Sequence, residues 1–287
     1  MIAGQVVTAP PLAPGFYVVA TPIGNLRDIT LRALETLAAA DLVLCEDTRL
    51  SARLLDHYGI RTPRQALHEH NERARIDDII ARLGAGKAIA LISDAGTPLL
   101  SDPGFPLVRA IAQEGGALFA VPGPSALLAG LAVAGLPTDS FTFIGFLPPK
   151  AGARANALAA HARRTETLVF YESPRRLPES LGAMAEAFGP DRQAAVALEL
   201  TKRFERVLRG TLAELAELFA QDETRGEAVI LVAGAEPGAA IAEADWQDAL
   251  AQALADQPLR GAVDEIAARF GLKRKDVYNA ALALKDA

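Results

Sequence analysis

Between Gly15 and Val121 short apolar runs alternate with amphipathic stretches, and that alternation leaves few folds open. Strands are expected at Phe16–Ala20, Leu42–Cys45, Ala88–Ser93 and Ala117–Val121. Helical periodicity fills the gaps, near Thr30–Ala40, Thr48–Tyr58, Asn71–Leu83 and Phe105–Glu114. Repeated strand–helix–strand units produce a mostly parallel sheet with helices on both faces. In such sheets the ligand crevice lies beyond the carboxyl ends of the strands, so the loops after each strand hold the functional information.

The richest of those loops follows Ala88–Ser93. It reads Asp94-Ala-Gly-Thr-Pro98, then Ser101-Asp-Pro-Gly104. Gly96 and Gly104 permit left-handed backbone and close approach, while Pro98 and Pro103 fix φ and remove a donor. Asp94, Thr97, Ser101 and Asp102 carry short side chains that stiffen turns. The pattern suits a loop that holds a ligand, and it equally suits an ordinary Asx-turn connection.

The second half changes character. Strands are expected at Phe141–Ile144, Thr167–Tyr171, Ala194–Leu200, Arg206–Gly210 and Ala228–Ala233, with helices near Ala153–Arg164, Leu177–Phe188 and Leu212–Gln221. Several of these strands are close enough in sequence to pair antiparallel, which predicts a mixed α+β unit. After the loop-like Gly234-Ala-Glu-Pro-Gly238 come three helical patterns, near Glu243–Ala255, Gly261–Phe270 and Lys273–Lys285. The last pair has the outline of a helix-turn-helix. The expected division is therefore 1–122, an α/β domain; 123–240, an α+β domain; and 241–287, a helical extension.

Composition removes several function classes. Residues 117–137 are apolar for about a bilayer's length, but Pro122-Gly-Pro124 breaks them into a strand and a helix, so no membrane span is predicted. Met1–Pro10 lacks the basic and apolar regions of a leader and reads as a tail. A net charge of −6 argues against indiscriminate nucleic-acid binding and confines any RNA contact to local patches. Cys45 is the only cysteine, which excludes an intrachain disulfide and suggests a reducing, cytoplasmic setting. The first strand runs into Ala20-Thr-Pro-Ile-Gly-Asn-Leu-Arg-Asp28 without G-x-G-x-x-G, and no P-loop occurs. One Cys and four His give no zinc spacing, so no metal site is expected.

Further polar clusters follow or overlap other strands, Cys45-Glu-Asp-Thr-Arg49, Phe170-Tyr-Glu-Ser-Pro-Arg-Arg176, Glu199-Leu-Thr-Lys-Arg-Phe-Glu205 and Arg225-Gly-Glu227, and one, Leu67-His-Glu-His-Asn-Glu72, precedes a helix. Each has a structural reading. Asp47 or Thr48 can cap a helix, Asn71 can cap the next, and the charged strand ends can be exposed ion pairs. The functional reading is that the loops converge on one crevice.

Taken in order, Thr21-Pro-Ile-Gly-Asn-Leu-Arg-Asp28, Glu46-Asp-Thr-Arg49, His68-Glu-His-Asn-Glu72, Ser93–Gly104, Pro122-Gly-Pro-Ser-Ala126 and Phe170-Tyr-Glu-Ser-Pro174 resemble the tetrapyrrole methylase superfamily, within it the branch that methylates ribosomal RNA. The resemblance covers about Gly15 to Ala235, and the helical tail also fits. It implies two α/β domains, a homodimer, and S-adenosylmethionine bound in the cleft between the domains. It implies 2′-O-methylation of a cytidine in the decoding centre of 16S rRNA, with the 30S subunit as partner. The cofactor residues it implies are Thr21, Pro22, Asp94, Ala95, Gly96, Thr97, Ser101, Pro122, Gly123, Ser125, Ala126 and Tyr171. Asp47 is the first candidate to take the hydroxyl proton or orient the hydroxyl, followed by Glu46, His70, Glu172 and Lys202. Arg175, Arg176, Lys202 and Arg203, with Lys273, Arg274 and Lys275 in the tail, are the expected phosphate contacts. Arg225 departs from the pattern, which leads one to expect lysine before Gly226. Two other functions fit the residues: C-methylation of a tetrapyrrole, and a non-catalytic ribosome-assembly or RNA-binding factor.

Overall fold

The structure, a computed structural model, describes residues 8–221, 226–236, 243–270 and 272–285. The expected tail at 1–7, Arg225, residues 237–242 and the turn glycine Gly271 lie outside the described residues. Two compact units divide the chain, Met1–Ala235 and Glu236–Ala287.

In the first unit, β1 (Gly15–Val19), α1 (Leu31–Ala39), β2 (Leu42–Cys45), α2 (Thr48–His57), β3 (Arg64–Ala66), α3 (Glu72–Gly84), β4 (Ala88–Leu91), α4 (Phe105–Gln113) and β5 (Leu118–Val121) build one sheet and its helices. The sheet is parallel, in the order β3-β2-β4-β1-β5. Side chains alternate across it, and both faces of its central strands are covered. Tyr17, Val19, Val43 and Ala90 meet Leu34 and Leu37 of α1 and Leu55 of α2, whereas Phe16, Leu44, Ile89 and Leu91 meet Ile79 of α3 and Leu107 of α4. This double burial is why β2 and β4 read as unbroken apolar runs.

The chain leaves β1 toward β2 on one side and leaves the adjacent β4 toward β5 on the other. The carboxyl ends of β1 and β4 are therefore the topological switch point of the sheet. A two-way backbone pair marks the spot: Thr21 N–H donates to Gly96 O at 2.8 Å, and Gly96 N–H donates to Thr21 O at 3.0 Å.

The apolar stretch after β5 turns at Pro122–Pro124 and becomes α5 (Ala126–Ala134), which packs on a second sheet. That sheet comprises β6 (Phe141–Phe146), β7 (Thr167–Glu172), β8 (Gln193–Leu198), β9 (Arg206–Thr211) and β10 (Ala228–Val232), in the order β6-β7-β10-β8-β9. β6 and β7 are parallel and the remaining pairs antiparallel, a mixed sheet. Its other face carries α6 (Ala151–Ala159), α7 (Leu177–Phe188) and α8 (Leu212–Ala220), with Phe170, Leu181, Phe188 and Phe219 in the core between. Among the described residues, no helix is long and apolar enough to cross a membrane.

The second unit holds α9 (Glu243–Asp256), α10 (Leu259–Phe270) and α11 (Arg274–Lys285) around Trp246, Leu250, Val263, Ile266 and Val277. β3 was not expected from sequence. Three half-exposed residues, Arg64-Gln-Ala66, carry too little pattern to announce a strand, and only pairing with β2 makes them one.

Candidate active site

The loop after β4 is fixed from three directions. Ser93, buried, places its hydroxyl within hydrogen-bonding distance of the Ala95 and Gly96 carbonyls, and the Thr97 hydroxyl donates to Pro124 O at 3.1 Å, tying this loop to the one after β5. At the far end, Gly104 N–H donates to the Glu72 carboxylate at 2.8 Å. Glu72 is only 8% exposed, so the last residue of the His68–Glu72 cluster clamps the end of the β4 loop. Between these anchors Leu99 and Ser101 adopt left-handed φ of 76° and 66°. Non-glycine residues hold such φ only where the surroundings dictate it, and such strain concentrates at functional sites. Gly96 (φ 78°) passes so close to the first loop that a Cβ there would meet Ile23 at 3.2 Å.

The second sheet supplies the opposite wall. Tyr171, at the end of β7, accepts a hydrogen bond from Leu127 N–H at 3.1 Å and stacks edge-on with Phe143 and Phe146, ring centroids 4.8 and 5.7 Å away. Gly145 brings β6 against the β4 loop, and a side chain there would meet Ser101 Oγ at 2.9 Å. Between the walls lies a cavity of about 390 Å³ with an apolar floor that includes Ile23, Leu100, Ala126 and Val229. That volume is in the range of small-molecule and cofactor sites. Asp94, Ala95, Gly96, Thr97, Ser101, Tyr171 and Glu172 line it too. Gly123 and Ser125 line a neighbouring open recess that shares Ile23. Thr21 and Pro22 are buried, and Pro122 is exposed; none of the three lines either space.

Asp94 and Asp102 of the β4 loop line the cavity and interact electrostatically with Glu46, which is exposed and does not line it. Asp102 is pushed up to about 6, first by burial, then by the charges of Glu46 and Asp94, against a hydrogen bond from Ser93. Burial, Asp94 and Glu69 raise Glu46, opposed by His68. Asp94 is raised by burial and by Asp47's charge, although it accepts the Asp47 N–H at 3.1 Å. A cluster with these shifts can take up a proton near neutral pH and presents negative potential to a cation.

Asp47 has a different position. It caps α2 by accepting Arg49 N–H at 2.8 Å, and it pairs with the Arg49 guanidinium at the same distance. Those bonds lower its carboxyl to about 2, which makes the first sequence candidate a weak proton acceptor. Glu172 is spent structurally: its side chain is 1% exposed and accepts from Ser173 N–H at 2.8 Å and Ser180 Oγ at 2.5 Å, with Arg176 3.5 Å away. Burial alone would lower Lys202, but the carboxylates of Glu199 and Glu227, 3.0 and 3.2 Å away, outweigh it and hold the ammonium charged. His70 is exposed and faces His68 edge-on. Asn71 caps nothing with its side chain; it closes the preceding turn by accepting His68 N–H and donating to Ala66 O.

The basic residues divide similarly. Arg175 and Arg203 are exposed, whereas Arg176 donates to the Leu147 and Pro148 carbonyls. In the second unit Lys273 and Lys275 are exposed, and Arg274 pairs with Asp264.

Residues 15–216 match the family model for tetrapyrrole (corrin/porphyrin) methylases. The chain belongs to the tetrapyrrole methylase family. Residues 240–285 of this tetrapyrrole methylase match a model described as the RsmI C-terminal HTH domain. It is 51% identical over 287 residues to ribosomal RNA small subunit methyltransferase I of Mesorhizobium japonicum, covering all of this chain and 97% of that protein. It is 49% identical to the protein of the same name from Pseudomonas aeruginosa, over 93% of this chain and 96% of that one. A crystal structure of uroporphyrin-III C-methyltransferase from Thermus thermophilus, complexed with S-adenosylhomocysteine, superposes with a TM-score of 0.52 at 21% identity, over 76% of this chain and 97% of that one. The tetrapyrrole methylase fold expected from the motifs is therefore the fold observed.

Asp102, Phe146, Leu100 and Val229 were not among the sequence candidates for this methylase site. Asp102 carried one signal, its place in the same loop as Ser101, but its burial depends on packing that periodicity does not reveal. Phe146 and Val229 come from a sheet whose meeting with the first has no local signature.

Proposed function

We propose that this protein is an S-adenosylmethionine-dependent ribosomal RNA methyltransferase that methylates the 2′-oxygen of a cytidine in the decoding centre of 16S rRNA, on the 30S subunit, in the cytoplasm and as a homodimer. The single observation that carries the reading is the near-full-length similarity to proteins named ribosomal RNA small subunit methyltransferase I. The cavity supports it on chemical grounds. S-adenosylmethionine supplies an electrophilic methyl on a cationic sulfonium, joined to an adenosine. An apolar pocket with Gly96 in its wall at a left-handed φ of 78°, lined also by the Asp94 and Asp102 carboxylates, fits such a group.

The residues then divide the work. Backbone groups of Asp94–Thr97 and the floor at Ala126 hold the cofactor, with Ser101 and Tyr171 beside them. Leu100, Phe146 and Val229 exclude water, which strengthens electrostatics within the site. Fixing the acceptor oxygen in line with the methyl can lower the barrier by about 7–11 kcal/mol. Removing the hydroxyl proton adds typically about 10²–10⁴-fold. Asp102 is placed first for that proton, ahead of Glu46, because it lines the cavity and its carboxyl exchanges protons near neutrality. Asp47 orients: its amide holds Asp94. Lys273, Lys275, Arg175 and Arg203 contribute phosphate contacts.

The test is transfer of labelled methyl to 30S subunits from cells lacking the enzyme, with the labelled nucleotide mapped by mass spectrometry. Label on the ribose of a decoding-centre cytidine is expected. Label on a base, or label only in a tetrapyrrole, rejects the proposal.

A further inference from the structure

Phe204 is the most exposed large hydrophobic residue among those described, at 74%. It sits in the turn Glu199–Glu205 between β8 and β9, and that turn is not slack. Glu199 and Thr201 adopt left-handed φ of 50° and 65° without being glycine. Lys202 N–H donates to Glu199 O at 2.9 Å, Glu205 N–H donates to Lys202 O at 3.2 Å, and Thr201 N–H donates to the Glu205 carboxylate at 2.5 Å. Beneath it, buried Leu200 joins the core under α5. Gly226, at a left-handed φ of 96°, runs against the Glu199 side chain. A turn determined this tightly displays a phenyl ring in water, although burying that ring would stabilise the fold.

The turn also stands at the cavity. Leu198 pairs with Ala228, which pairs with Glu172, so the ends of β7 and β8 and the start of β10 form one rim. Glu172, Glu227 and Ala228 on that rim line the cavity, and Thr201 lines the recess beside it. Gly24 of the first loop lies against the stem of Lys202. The nearby acidic groups are engaged, Glu199 and Glu227 by Lys202 and Glu205 by the Thr201 amide. Arg203 is exposed, with its guanidinium carbon 5.5 Å from the centroid of the Phe204 ring.

A ribose hydroxyl in folded RNA reaches a recessed pocket only if its nucleotide is pulled from its neighbours, and unstacked bases are caught by aromatic rings and guanidinium planes. We propose that Phe204, with Arg203 over its ring, is a stacking platform for an unstacked nucleobase of the RNA substrate beside the methylated ribose. The proposal rests on the rRNA-methyltransferase reading and adds to it the element that holds the splayed strand.

The test compares full-length wild type with Phe204→Ala and Phe204→Trp on 30S subunits. Phe204→Ala is expected to raise KM for the subunit roughly 5- to 150-fold, the range for losing one base stack, with unchanged affinity for S-adenosylmethionine. Phe204→Trp retains a low KM, and its added fluorescence is quenched when the RNA binds. KM within twofold of wild type in Phe204→Ala, or no quenching of Phe204→Trp by RNA, overturns the proposal. So does loss of a dimer in Phe204→Ala, because the ring then serves a second copy of the chain. Quenching by RNA with no methyl transfer by the wild type supports the platform and rejects the enzymatic reading instead.

Discussion

Replacing Asp102 by Asn should move activity and stability in opposite directions. Asparagine keeps the size of the side chain and imitates the protonated carboxyl at every pH. Asp102 in the folded protein titrates near 6, against about 3.9 in an unfolded chain. Its raised value means that the protonated form favours the fold: this contribution is complete below about pH 4 and is lost as pH rises through 6. The two-unit shift sets a ceiling of about 3 kcal/mol. The carboxyl is partly in contact with solvent, and screening reduces this to roughly 1–2 kcal/mol. Asp102→Asn should recover that amount above pH 6, a rise in Tm of about 2–8 °C, and nothing below pH 4. Its kcat should fall by about 10²–10⁴-fold, the usual contribution of a general base. The wild-type rate should drop about tenfold per pH unit below 6, and the variant should lack that limb. Single-turnover methylation of 30S subunits and urea denaturation, each at pH 5 and pH 8, read both effects. A variant with wild-type kcat and an unchanged acid limb refutes the proton-acceptor role. Unchanged stability at pH 8 refutes the account of why the carboxyl is raised.

Three further outcomes are expected. Glu72→Ala leaves the Gly104 amide without its acceptor and should cost about 1–3 kcal/mol in denaturation, while weakening S-adenosylmethionine binding through the loosened β4 loop; equal cofactor affinity by calorimetry would contradict the clamp. Ser180→Ala removes the hydroxyl that supports buried Glu172 and should cost about 1–3 kcal/mol with little change in kcat; a loss of kcat at full occupancy would return Glu172 to the reacting groups. Changing Lys273 and Lys275 together to Glu should weaken RNA binding at low salt and reduce the slope of log affinity against log salt by roughly one per lost phosphate contact; an unchanged slope removes the tail from the RNA surface.

Of the first sheet, β1, β2 and β4 were legible in the chain because they are buried on both faces. Runs such as Ala88-Ile-Ala-Leu91 leave no other reading, and the Gly and Pro pairs after them mark the turns. Strand order was not legible, since β2 and β3 lie on one side of β4 and β1 only through long crossovers. At the site, the Asp94–Ser101 loop could be found from its turn chemistry. What each carboxylate does could not. Asp47 and Asp102 are both aspartates at strand-end loops, but Arg49 beside one and burial beside the other send them in opposite directions. Glu72 read as a helix start because its partner, Gly104, lies 32 residues along the chain.

If the cavity between the β4 loop and Tyr171 holds the cofactor, a crystal structure grown with S-adenosylhomocysteine will show it there. Density is expected against the Asp94–Thr97 backbone, Ala126 and Tyr171, with the sulfur toward Asp102. Density outside that cavity, in the recess at Gly123 and Thr201 or on the helices after Glu236, would contradict it.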